Sequence, residues 1–281
     1  MAKPKIAIMY DVDKTLCTKD MQEYTFIPGL DMAPEDFWAK ATILAKDKKM
    51  DRILAYMYTM LDESRRHNKS IKREQFVNAG NNIDFFPGVD EWFDRINEFG
   101  RENGVSIEHY IISSGLKEII EGSKLKNKFK EIFASEFYYD VNDIACWPRL
   151  AVNYTAKTQF LFRINKGVLD ISDDDTLNKY TPEDEREIPF RNMIYIGDGL
   201  TDVPCMRLVK AYGGYSIAVY RNRHKSTANE LLTKGRVNFI MEADYSEDKP
   251  LDATVKKIIQ KITISHDLIN QNIRQVKNVK G

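Results

Sequence analysis

The chain has 281 residues, 43% of them hydrophobic and 30% charged, with 14 glycines and 9 prolines. That length supports a full core without disulfide or metal staples, and the composition excludes collagen-like, low-complexity and disordered classes. The 42 basic residues balance 42 acidic ones, so the overall charge suits coating neither nucleic acid nor an anionic membrane. No apolar run approaches the roughly 18 residues of a membrane span. The N-terminus enters a strand-like run directly, without the apolar region of a signal peptide. Cys17, Cys146 and Cys205 are too scattered for a disulfide framework or a paired metal site. A soluble, cytoplasmic globular protein is expected.

In chain order, residues 5–10 form a short apolar run of the kind found in strands covered on both faces. Residues 31–78 follow with helical periodicity and no convincing strand. Phe37, Ile43 and Leu44 mark one helix, and Ile53, Leu54, Met57, Met60 and Leu61 a second. Val89, Trp92, Phe93, Ile96 and Phe99 define a helix opened by Pro87-Gly88 and closed by Gly100. Strand-like runs return at 109–112, 193–196, 215–220 and 237–241. A helix over 158–166 is closed by Gly167, Thr227 and Glu230 have capping-box spacing, and Leu251 to Ile262 repeats helically after Pro250. The acidic tract 170–186 reads as a solvated excursion, and the polar tail 265–281 as helical with a thin apolar stripe. Strands alternating with helices imply a parallel α/β sheet, with the helical stretch carried on it as a small inserted domain.

Three of the strand-like runs end in polar clusters: Asp11-Val-Asp13-Lys-Thr15, Ser113-Ser114-Gly115, and Gly197-Asp198-Gly-Leu-Thr-Asp202. Singly, each suits a turn or a helix cap. Together they fall at the carboxyl ends of parallel strands, where the ligand crevice of an open sheet lies. Asp11, Asp13, Asp198 and Asp202 would repel one another unless a cation sat between them. Oxygen donors without His or Cys favour Mg²⁺ over zinc. The Ser113 hydroxyl and the Lys157 ammonium at a helix N-terminus suit a phosphate, and a carboxylate can attack phosphorus.

On these motifs the sequence resembles the haloacid dehalogenase superfamily of phosphohydrolases, nearest its phosphoserine-phosphatase-like branch. The four motifs are matched in family order by Asp11 to Thr15, by Ser113, by Lys157, and by Gly197 to Asp202. The resemblance implies a Rossmann-like three-layer core, residues 1–17 and 86–281, with a helical cap at 18–85. It implies Asp11 as nucleophile and Asp13 as general acid and then base. Mg²⁺ would be held by Asp11, the Asp13 carbonyl and Asp198, with Asp202 beside it. Ser113, Lys157, Thr15 and Gly115 would surround the phosphoryl group. Asp20 could hold a substrate amine or hydroxyl, or simply cap a helix near Met21; none of Arg52, Arg65, Arg66 and Arg73 stands out as a cap arginine. Asp13 separates the chain from the dehalogenases, while Ser-Ser-Gly departs from the branch's usual Ser-Gly-Gly. The expected activity is hydrolysis of a small soluble phosphoester, with no nucleic-acid or membrane partner. The same motifs would also serve a phosphotransferase, and a catalytically weak phosphate- or partner-binding protein on this fold is the third reading.

The remaining residues read as structural. His67, His109, His224 and His266 lack partners at ligand spacing, and the run Arg221, Arg223, His224 and Lys225 suits a solvated loop. Cys17 and Cys205 lie near motifs without being required. Trp38, Tyr56, Met57 and Met60 read as the core of the insertion, with some of them open to a substrate pocket.

Overall fold

The computed structural model describes residues 3–24, 26–221 and 225–280; Arg223 and His224 of the basic run lie outside them. Seven strands form one sheet: β1 (Lys5–Tyr10), β2 (Ser106–Leu116), β3 (Glu131–Tyr139), β4 (Ala145–Leu150), β5 (Met193–Gly197), β6 (Tyr215–Tyr220) and β7 (Phe239–Glu242). Their order is β4-β3-β2-β1-β5-β6-β7. All pairs are parallel except β3 with β4. The expected parallel sheet is therefore a mixed one, with an antiparallel edge.

Alternation along the central strands sorts side chains into two layers, as a pleated strand requires. Ile6, Ile8 and Tyr10 of β1, with Ile194 and Ile196 of β5, pack with α4 (Val89–Glu102) and α10 (Pro250–Lys280). Ala7, Met9, Met193 and Tyr195 face the other way, with α6 (Ala156–Lys166), α8 (Val203–Ala211) and α9 (Ser226–Thr233). Strands buried on both faces explain the unbroken apolar runs of β1 and β5. Gly167 ends α6 at φ 73°, in the left-handed conformation that glycine adopts without strain. Helix α9 begins at Ser226 after Lys225, so Thr227 lies in its first turn and the expected capping box is not made. The acidic tract is anchored: buried Arg163 of α6 donates to the Asp170 and Ile171 carbonyls at 2.7 and 3.0 Å and to Asp174 at 2.8 Å. A short helix, α7 (Asp174–Asn178), and a single 3-10 turn at Glu183–Glu185 form there. The expected tail helix and its predecessor are one continuous α10.

Between β1 and α4 lie α1 (Pro34–Asp47), α2 (Arg52–Arg66) and α3 (Arg73–Ala79). Asp51 caps α2, accepting from the Ile53 and Leu54 amides. This helical segment is fastened to the sheet at several places. Helix α3 packs on α5 (Lys117–Gly122) so closely that a Cβ on Gly122 would lie 1.7 Å from the Val77 carbonyl oxygen. Phe76 stacks on Phe137 of β3 with ring centroids 6.0 Å apart. Arg73 pairs with Glu121 at 2.6 Å, Asn153 donates to Asp51 at 2.9 Å, and Lys72 forms an isolated bridge with Ile144. Among the described residues no helix is long and apolar enough to cross a membrane.

Candidate active site

Strand register brings the polar clusters together. Tyr10 pairs with Ile111 on one side and with Ile196 on the other, so β1 and β5 end beside the stretch of β2 that carries Ser113 to Gly115, which lies within the strand and not after it. The Asp11 amide continues the ladder onto the Ile196 carbonyl at 3.0 Å. The β2–β3 register then shifts between Ser113 and Leu116, lifting Ser114 and Gly115 out of the ladder as a bulge does. The freed Ser114 carbonyl accepts from the Tyr56 hydroxyl at 2.7 Å and from Ser135 at 3.1 Å. Gly115 donates its amide to the Ser113 hydroxyl at 3.1 Å. A Cβ at Gly115 would fall 2.3 Å from the end of the Met21 side chain and 3.0 Å from an Asp13 oxygen, so a side chain there would displace the methionine from the site.

A cavity of about 630 Å³ opens between these strand ends and the helical segment. Asp11, Asp13, Lys14, Asp20, Ser114 and Asp198 line its core side; Trp38, Ile53 and Tyr56 line the other. Ser113, Lys157 and Asp202 are fully buried behind it. Lys157 Nζ lies 3.2 Å from Asp11 Oδ1 and 2.7 Å from Asp202 Oδ1. Burial alone would lower the Lys157 pKa, but the Asp11 and Asp202 carboxylates together raise it, so the ammonium is retained. Asp202 Oδ1 also accepts from the Tyr195 hydroxyl at 2.7 Å. The carboxylate that the motif placed beside a metal thus has one oxygen committed to holding Lys157.

Burial raises Asp11 to about 6, with Lys157 opposing the shift and Asp202 adding to it. Asp13 stands well above the usual carboxylate range, first through burial and then through repulsion from Asp20 and Asp11. Its Oδ1 accepts the Met21 amide at 2.7 Å. Asp198 is raised by burial and by Asp202 and Asp11.

Asp11, Asp198 and Asp202 offer oxygens that all lie within 4.8 Å of one another. Asp11 Oδ1 is buried and has no hydrogen-bond partner among the described residues, with the Lys157 ammonium 3.2 Å away. A crowded, oxygen-only donor set with an orphaned carboxylate atom fits a hard divalent cation.

Thr15 is buried, with its hydroxyl unpartnered among the described residues and its carbonyl accepting from Tyr245 at 3.0 Å. Asp20 reaches the cavity but is paired with Lys14 at 2.5 Å. It occupies the N-cap position of the short turn Met21–Glu23, yet its side chain caps nothing. Trp38 and Tyr56 line the cavity, whereas Met57 and Met60 are core. His109 is buried in a structural network and Cys17 lies 3.9 Å from Asp13. Sequence reasoning missed Tyr195, Met21 and Gln22. Tyr195 alone carried a signal, a hydroxyl in an otherwise apolar strand run.

The molecule is thus a three-layer α/β protein with a carboxylate cluster at the carboxyl edge of its sheet. The family model for haloacid dehalogenase-like hydrolases matches residues 8–207, and the chain belongs to that family. It is 29% identical over 289 aligned positions to a protein of Borreliella burgdorferi described as uncharacterized, covering 92% of this chain and 97% of that one. Its fold is shared with a substrate-bound phosphoserine phosphatase (TM-score 0.56, 17% identity, 86% of this chain and 95% of the other). It is also shared with a haloacid dehalogenase family hydrolase of Salmonella enterica serovar Typhi (0.56, 17%, 88% and 72%).

Proposed function

We propose that the protein is a Mg²⁺-dependent phosphatase that hydrolyses a small phosphomonoester through a phosphoryl group carried on Asp11. The observation that carries this reading is the Asp11 carboxylate itself: the residue lines the cavity, while its buried Oδ1 lies 3.2 Å from the Lys157 ammonium and has no hydrogen-bond partner among the described residues. Such a carboxylate is held in place by charge while an oxygen stays free to attack.

Asp11 and Asp198, with the Asp13 carbonyl that the family motif supplies, would hold Mg²⁺, which when bound offsets the phosphoryl and carboxylate charge. Asp11 attacks phosphorus, and the bond from phosphorus to the leaving oxygen breaks. Burial and its anionic neighbours hold the Asp13 carboxyl well above the usual carboxylate range, which favours the protonated form that a proton donor needs. The Met21 amide holds Oδ1, so the proton is delivered to the leaving oxygen from Oδ2. Water then attacks the phosphorylated Asp11; Asp13 takes its proton, and the carboxylate and inorganic phosphate are released. Lys157, fixed by Asp202, balances charge on the transferring group, as phosphoryl transfer requires.

Asp11→Asn keeps the shape and removes the nucleophile. Phosphate release from phenyl phosphate with Mg²⁺ should fall by about three orders of magnitude or more, with an unchanged melting profile. Near-normal turnover by a folded Asp11→Asn protein would refute the covalent route.

A further inference from the structure

Gln22 is 1% exposed, yet it lines the cavity, and its Oε1 has no hydrogen-bond partner among the described residues. Its turn is firmly held. The preceding amide, of Met21, bonds Asp13; the Gln22 carbonyl accepts from Ile27 at 3.1 Å; and Trp38 donates to Glu23 at 2.9 Å. Trp38, Ile53 and Tyr56 line the same side of the cavity, so leucine or methionine would suit these surroundings better than an amide. A buried amide oxygen left without a donor is costly, and the cost is relieved when a ligand bonds it.

The charges nearby narrow the ligand. The carboxylate best placed for a substrate ammonium, Asp20, is already neutralised by Lys14, and Arg52 and Arg221 also line the cavity. Beyond that ion pair, a cationic leaving group would meet the guanidinium groups of Arg52 and Arg221 and no anion other than the catalytic carboxylates. A hydroxyl both donates and accepts, and so matches a carboxamide whichever end it presents. We propose that Gln22 is a specificity-determining residue that hydrogen-bonds a hydroxyl of the leaving group, so that the site takes a phosphorylated polyol or sugar rather than a phosphorylated amino alcohol. This rests on the phosphatase reading of the same cavity.

The test compares glycerol 1-phosphate, propyl phosphate and 2-aminoethyl phosphate with the full-length protein and Mg²⁺. The wild type should prefer glycerol 1-phosphate to both others. In Gln22→Leu, the ratio of kcat/KM for glycerol 1-phosphate over propyl phosphate should fall about tenfold, the worth of one lost buried hydrogen bond. Gln22→Met, of similar volume, repeats the measurement should the leucine variant not fold. An unchanged ratio, or a wild-type preference for 2-aminoethyl phosphate, overturns the proposal. Calorimetric binding of glycerol 1-phosphate to wild type and to each variant separates the two readings. If no ester is turned over, the phosphatase reading falls, while weaker binding by the variant still supports Gln22 and equal binding rejects it.

Discussion

One oxygen of Asp202 accepts both the Lys157 ammonium and the Tyr195 hydroxyl, all three groups being buried. In the proposed mechanism Tyr195 would act through another residue, by fixing where the lysine stands. Tyr195→Phe removes one oxygen atom and no ring. A lost hydrogen bond to a charged group is worth about 1.5–3 kcal/mol, so kcat/KM should drop roughly tenfold or more with KM little changed. Steady-state kinetics on phenyl phosphate decide it, and a loss confined to KM would contradict a positioning role. The motif carboxylates and Lys157 were readable because their chemistry is stated by residue type and spacing. Tyr195, Met21 and Gln22 were not, because each acts through an atom that only the folded chain brings near Asp202, Asp13 or the cavity.

Among the elements, β1, β5 and β6 were legible because burial on both faces leaves continuous apolar runs. Strands β3 and β4 were not. Strand β3 opens on Glu131 and is interrupted by Glu136, while β4 is an edge strand containing Pro148, which reads as a strand breaker unless the edge position is known. Yet β3 and its neighbour α5 hold the helical segment to the sheet. The contact of Gly122 with the Val77 carbonyl leaves no room for a methyl group. Gly122→Ala should cost about 1–3 kcal/mol through forced separation of α3 and α5. Gly29→Ala, whose Cβ meets nothing within 4 Å, should be close to neutral. Paired melting curves check this, and equal melting temperatures would show that the two helices yield without strain.

For the whole molecule, acid stability has a buried reporter. Trp92 donates to the Tyr10 hydroxyl at 2.8 Å, Tyr10 lies 2.9 Å from His109 Nδ1, and His109 Nε2 lies 3.2 Å from Asn97 Oδ1. A neutral ring satisfies all three, and burial lowers its pKa from 6.5 to about 3. The unfolded chain binds a proton that the folded one refuses. The contribution is therefore complete above pH 6.5 and is lost as pH falls from there toward 3, at up to about 1.4 kcal/mol per unit. Denaturant unfolding from pH 7 to pH 4.5 should show wild type losing stability relative to His109→Gln; parallel curves would mean that the ring is charged in the fold. The fastening of the helical segment has a consequence for how specificity passes between relatives. The cavity's outer wall comes from residues 18–85, but its seat is built by residues 117–153, through Gly122, Phe137, Ile144 and Asn153. The two stretches are cut to fit each other, so a chimera that exchanges one without the other would set a foreign wall on a seat shaped for its predecessor.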